Sequence, residues 1–122
     1  MGAAMPRYML LLYADEVDEP TQAQRDAELP LWQELTESLR EAGLLVSNSP
    51  LLGVDAATTV RVRDGAAEVV DGPFATTKEV LVGYYLLDCA DLDEALALAA
   101  RMPLARYGSV EVRPVADLGD HC

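Results

Sequence analysis

The run Val80-Leu81-Val82-Gly83-Tyr84-Tyr85-Leu86-Leu87 decides how this chain folds. It is almost entirely apolar yet short, which suits a central strand covered on both faces better than a helix. Strand geometry alternates side chains, so Tyr84 and Tyr85 point to opposite sides of the sheet. Such a strand needs hydrogen-bonding neighbours, and the chain supplies candidates on either side of it. Arg7-Tyr8-Met9-Leu10-Leu11-Leu12-Tyr13 is a second apolar run, stopped by Ala14-Asp15-Glu16, and reads as an interior strand. Ser109-Val110-Glu111-Val112-Arg113-Pro114 alternates, with Glu111 and Arg113 on one face and Val110 and Val112 on the other. Thr58-Thr59-Val60-Arg61-Val62-Arg63 also alternates and runs into Asp64-Gly65, a strong hairpin signal, with Glu68-Val69-Val70 as the returning arm.

Two segments carry helical spacing. Trp32, Leu35, Leu39 and Ala42 recur on one stripe as far as Gly43, with Thr21 and Gln24 forming a capping box upstream and Pro30 marking a kink or a later start. The stretch after it, through Asn48, Pro50 and Gly53, reads as irregular. Asp91 with Glu94 opens a second helix whose core face is Leu92, Ala95, Leu96 and Ala99, and Pro103 follows its end. The resulting order is strand, helix, strand with hairpin arm, strand, helix, strand. That pattern predicts an α+β domain of ferredoxin-like split β-α-β type, an antiparallel sheet with two helices on one face. Two helices cover only one side of a sheet, so the other side is expected to be hidden by a second copy of the chain.

The bulk composition excludes several functions. The 122 residues fit one domain, taken as 5–116, with 1–4 and 117–122 as loose termini. Asp and Glu number 21 against 9 Lys and Arg, a formal charge of −12, which argues against a direct nucleic-acid partner. No apolar stretch approaches the roughly 20 residues a membrane helix requires, and no secretion signal opens the chain. Cys89 and Cys122 form no disulfide framework or zinc pattern, and both suit a reducing cytoplasm. No cofactor or metal is expected: phosphate-loop, dinucleotide-glycine and nucleophile-elbow motifs are missing.

Asp71-Gly72-Pro73-Phe74-Ala75-Thr76-Thr77-Lys78-Glu79 is the most distinctive stretch. It resembles the signature of the DGPF branch of the YCII-related proteins, and the similarity extends through Gly83-Tyr84-Tyr85, Asp91-Leu92-Asp93-Glu94-Ala95 and Gly108-Ser109-Val110-Glu111-Val112-Arg113-Pro114. It spans the chain from Met5 to Val115. The resemblance implies a dimeric α/β barrel of ferredoxin-like subunits, a suggested His and Asp catalytic pair in the wider group, and activities that include dehydrochlorination of chlorinated hydroquinones. It also implies, for some relatives, a place beside extracytoplasmic-function sigma factors. Similar sequences often carry His just before the last strand. This chain has Tyr107 there, and its one histidine is the penultimate residue, His121.

Asp71 is the candidate acid/base, since a carboxylate beside Pro73 and Phe74 is open to desolvation; its plainer role is turn chemistry. Lys78, Tyr84, Tyr107 and Arg113 are the candidate ligand-binding residues, with Tyr85 and Arg106 as additions. A phenol and a guanidinium together suit a phenolate or carboxylate. The bland alternatives are a solvated Lys78/Glu79 pair, a second capping box from Thr76 and Glu79, tyrosines at the core edge, and Phe74 as core or dimer contact. Two functions follow. The first is a dimeric ligand-binding or regulatory accessory module; the second is a cofactor-independent lyase or dehydrochlorinase-like enzyme acting through Asp71 on a small anionic or aromatic compound.

Overall fold

A computed structural model of the chain describes residues 6–15, 22–75 and 77–116. The Thr21/Gln24 and Thr76/Glu79 capping boxes depend on Thr21 and Thr76, which lie outside the described residues, as do His121, Cys122 and the expected loose termini. The elements are β1 (Arg7–Asp15), α1 (Gln22–Glu41), β2 (Leu45–Pro50), β3 (Thr58–Arg63), β4 (Ala66–Asp71), β5 (Glu79–Asp88), α2 (Leu92–Ala100) and β6 (Ser109–Pro114). Short 3-10 turns occupy Val54–Ala56 and Pro103–Arg106. Among the described residues no helix is long and apolar enough to cross a membrane.

The main sheet is antiparallel and open, in the order β2-β5-β1-β6. Its register lays the two faces out row by row. On the inner face Leu45, Leu87, Tyr8 and Pro114 form one row, Asn48, Tyr85, Leu10 and Val112 the next, and Pro50, Gly83, Leu12 and Val110 the third. On the outer face one row is Ser47, Leu86, Met9 and Arg113, and the other is Ser49, Tyr84, Leu11 and Glu111. A β-bulge interrupts this alternation: Leu12 pairs with Gly83 and Tyr13 with Leu81, so Val82 is the extra residue and packs against the core.

Both helices bury their stripes on the inner face. Leu35 and Leu39 of α1, and Ala95, Leu98 and Ala99 of α2, join Tyr8, Leu10, Leu12, Ala14, Tyr85 and Leu87 in one core. Leu10, Leu87, Leu39, Met102 and Cys89 are fully enclosed, sites where loss of a large side chain costs about 2–5 kcal/mol. Asp91 caps α2 as its position implied, its carboxylate accepting the Glu94 N–H at 2.9 Å, while Glu94 accepts the Ala90 N–H at 2.6 Å.

Four expectations need correction. The stretch around Asn48 and Pro50 is the edge strand β2, held by β5. The hairpin strand β3 is not part of the main sheet but pairs only with β4 in a separate ribbon. Pro30 neither delays nor ends α1, which runs through it, because the exposed position tolerates the missing N–H. On α2 the buried stripe is Ala95, Leu98 and Ala99, whereas Leu92 and Leu96 are exposed.

Gly83 is required where β2 meets β5, since a Cβ there would lie 2.9 Å from the Ser49 carbonyl oxygen and 3.3 Å from Pro50 Cα. Gly83→Ala should therefore lower unfolding free energy by about 1–3 kcal/mol in urea titration. Cys89 yields a pH signature. Burial first, then Glu94, Asp88 and Asp91, push its thiol up from 9.0 to about 11. The unfolded chain releases this proton earlier, so the contribution is intact below about pH 9 and lost as pH climbs toward about 11. Over that window wild type should lose roughly 2 kcal/mol more stability than Cys89→Ala, read as unfolding midpoints at each pH.

Candidate functional site

Between α1, the β2 end of the sheet and the loop after β2 lies an open cleft of about 830 Å³. Its floor is the third inner row, where Gly83 contributes no side chain between Pro50 and Leu12. Its α1 wall follows from spacing: Glu28, Trp32 and Thr36 stand four residues apart and so share one stripe of the helix. Trp32 stacks on Tyr85 with ring centroids 6.1 Å apart and planes 16° from parallel. Leu29, Leu51 and Leu52 form an apolar rim.

The polar groups of the cleft are few and mutually arranged. Glu28 Oε1 accepts two bonds, from the Tyr107 hydroxyl at 3.0 Å and the Trp32 indole N–H at 3.3 Å. Glu28 Oε2 has no hydrogen-bond partner among the described residues. Thr36 Oγ1 and the Tyr85 hydroxyl share a bond of 2.6 Å in the interior of the wall. Arg40 is engaged by Glu37 at 2.5 Å, so this cation at the lining is already neutralised. The arrangement presents stacked aromatic surface beside an acceptor and a hydroxyl pair, which is what a flat ligand bearing a hydrogen-bond donor requires. Among the described residues no group of three or more His, Cys, Asp or Glu is gathered as for a metal.

The residues singled out from sequence occupy several places. Tyr107 lines the cleft and reaches across to Glu28 from the segment before β6. Tyr84 and Arg113 lie on the opposite, outer face of the sheet. There the Tyr84 hydroxyl meets Ser47 Oγ at 3.2 Å, and Arg113 is bound by Glu111, whose hydrogen bond and charge raise the guanidinium pKa. Asp71 is exposed at the end of β4, opposite Thr58. Its turn is tied to the hairpin base, the Gly72 N–H donating to Ala57 O and Thr59 Oγ1–H to Gly72 O, each at 2.7 Å. Lys78 is exposed just ahead of β5, and Glu79 accepts the Ser109 hydroxyl at 2.7 Å. Arg106 lines a smaller hollow of about 260 Å³ on another side of α1. Phe74 is no core residue, being 76% exposed.

Sequence reading missed Glu28, Thr36 and Asn48, and gave Trp32 a place on the helix stripe but no part in a site. A signal was present in α1: a carboxylate and a hydroxyl set four residues before and after the chain's one tryptophan place polar groups on a stripe that otherwise faces the sheet.

The chain belongs to the YCII-related family, with residues 6–118 matching the YCII-related domain. It is also 51% identical over 78 residues to a protein of Rhizobium meliloti (strain 1021) whose name describes it as uncharacterized. That match covers 62% of this chain and 63% of the relative, a little under two thirds of its length.

Proposed function

We propose that this chain is a ligand-binding, sensing module that holds a small flat aromatic compound in the cleft between α1 and the sheet. The observation that supports it is the stacked Trp32/Tyr85 wall beside the partly satisfied Glu28 carboxylate, in a cleft whose volume of about 830 Å³ suits a small molecule. Aromatic stacking contributes roughly 0.5–1.5 kcal/mol beyond area burial. Of an anionic or an aromatic ligand, the lining favours the aromatic one, since Glu28 repels negative charge and Arg40 is occupied by Glu37.

The proposal extends to assembly and setting. The Asp71-Gly72-Pro73-Phe74 stretch supports a place in the DGPF branch, and the crossover connections with sheet order β2-β5-β1-β6 support a ferredoxin-like subunit. The outer face carries Met9, Leu11, Tyr13, Leu81 and Leu86 with no helix over them among the described residues, and a homodimer closing into an α/β barrel would hide that face. The buried free thiol of Cys89 suits the cytoplasm.

Calorimetric titration with indole and with 4-hydroxybenzoate tests the ligand reading. Indole should bind, the carboxylate should bind about tenfold more weakly, and Trp32→Ala should remove binding of both. Thermal scans with neither probe effective, or binding indifferent to Trp32→Ala, would reject it. Conversion of a bound probe, lost in Asp71→Asn, would instead establish the enzymatic reading. For the assembly, Leu11→Asp should raise the dimer dissociation constant by about a hundredfold, measured by sedimentation.

A further inference from the structure

The charged side chains lining the cleft between α1 and the sheet are Glu28, Glu37 and Arg40. Arg40 is bound to Glu37, so the uncompensated charge of the lining is that of Glu28. The amides of Gln33 and Asn48 also line the cleft, but an amide both donates and accepts and favours neither sign of ligand charge. Selection by charge therefore falls to one carboxylate.

That carboxylate is held at the wall by two elements. The Tyr107 hydroxyl donates to Glu28 Oε1 at 3.0 Å from the segment before β6, and the Trp32 indole N–H donates to the same oxygen at 3.3 Å from the next turn of α1. Both bonds fall on Oε1, which leaves Oε2 without a hydrogen-bond partner among the described residues. An ionised carboxylate accepts on both oxygens. An acceptor fixed in place with one oxygen unused is a prepared contact for a donor that the ligand brings. A protonated amine makes that contact roughly twice as strong as a neutral hydroxyl does.

The aromatic wall says what the amine is attached to. Tyr85, 4% exposed, backs Trp32 at a centroid separation of 6.1 Å, while Trp32 stays half-buried at the lining. Glu28 lies at the edge of the Trp32 ring, so a flat ring against Trp32 carries its donor to Oε2 on a short side arm. An ammonium at this edge also gains from the electron-rich face of the indole. The formal charge of −12 attracts any cation to the whole chain and selects none; Glu28 beside Trp32 is what distinguishes this place. We propose that the cleft selects a protonated arylalkylamine, its ring on Trp32 and its ammonium on Glu28, an inference that rests on the aromatic reading of the cleft and names the chemical class it takes.

Calorimetric titration of the full chain with indole, tryptamine and N-acetyltryptamine tests this, the last having the ring and arm of tryptamine without its charge. On wild type tryptamine should bind about tenfold or more tighter than either neutral compound. Glu28→Gln keeps an acceptor for Tyr107 and Trp32 but loses the charge, and should bring tryptamine and N-acetyltryptamine to within about twofold of each other. Trp32→Ala should remove tryptamine binding. Tryptamine no tighter than N-acetyltryptamine on wild type, a result that needs no variant, would overturn the amine while indole binding leaves the aromatic cleft standing. A preference that persists in Glu28→Gln, or tryptamine held equally well by Trp32→Ala, would likewise overturn it and assign the binding to the overall charge. Failure of all three compounds to bind wild type would overturn the aromatic reading together with the amine.

Discussion

The pairing of β1 with β5 is the constraint from which the rest of the fold follows. Nine residues of β1 are in register with β5, and because side chains alternate, that one alignment determines what each face presents. Tyr8, Leu10, Leu12, Ala14, Tyr85 and Leu87 meet the helices; Met9, Leu11, Tyr13, Tyr84 and Leu86 do not. A slip by one residue would exchange the two sets and leave α1 and α2 with nothing to bury against. The cleft is a product of the same alignment. Gly83 falls opposite Leu12 and Pro50 and lets the β2 backbone close on β5 at the floor of the cleft.

The fold was largely legible in the sequence where one face of an element is buried by the chain itself. The apolar runs of β1 and β5, the alternation of β6 and the Asp91/Glu94 cap of α2 all belong to this class. β2 escaped because Ser47-Asn48-Ser49-Pro50 has turn composition; it is a strand through its hydrogen bonds to β5, a tertiary effect that local preference does not carry. The ribbon misled for the opposite reason. Its alternation is that of a genuine strand, yet the stripe it produces is exposed among the described residues. On α2, alanines and leucines fit two adjacent helical stripes about equally well, and only the packing of Ala95 against the sheet chooses between them.

The candidate site was less legible than the fold. A conspicuous motif drew attention to Asp71 and Lys78, but the contacts of the Asp71-Gly72 turn close the base of the ribbon. The cleft instead gathers residues distant in sequence, Glu28 with Tyr107 and Thr36 with Tyr85, whose meeting depends on how α1 lies across the sheet. Of the residues read from the sequence as ligand-binding, Tyr107 and Tyr85 line it. From the segment before β6 the Tyr107 hydroxyl reaches the Glu28 carboxylate at 3.0 Å.

The bulge at Val82 separates chain length from strand registry. Excising that one residue would leave Leu12 opposite Gly83 and Tyr13 opposite Leu81, so every rung of the ladder survives. Yet Val82 itself borders the cleft. Its carbonyl also accepts the Leu51 N–H at 2.9 Å, so the extra residue ties the loop at the cleft rim to β5 while the rungs between β1 and β5 do not depend on it.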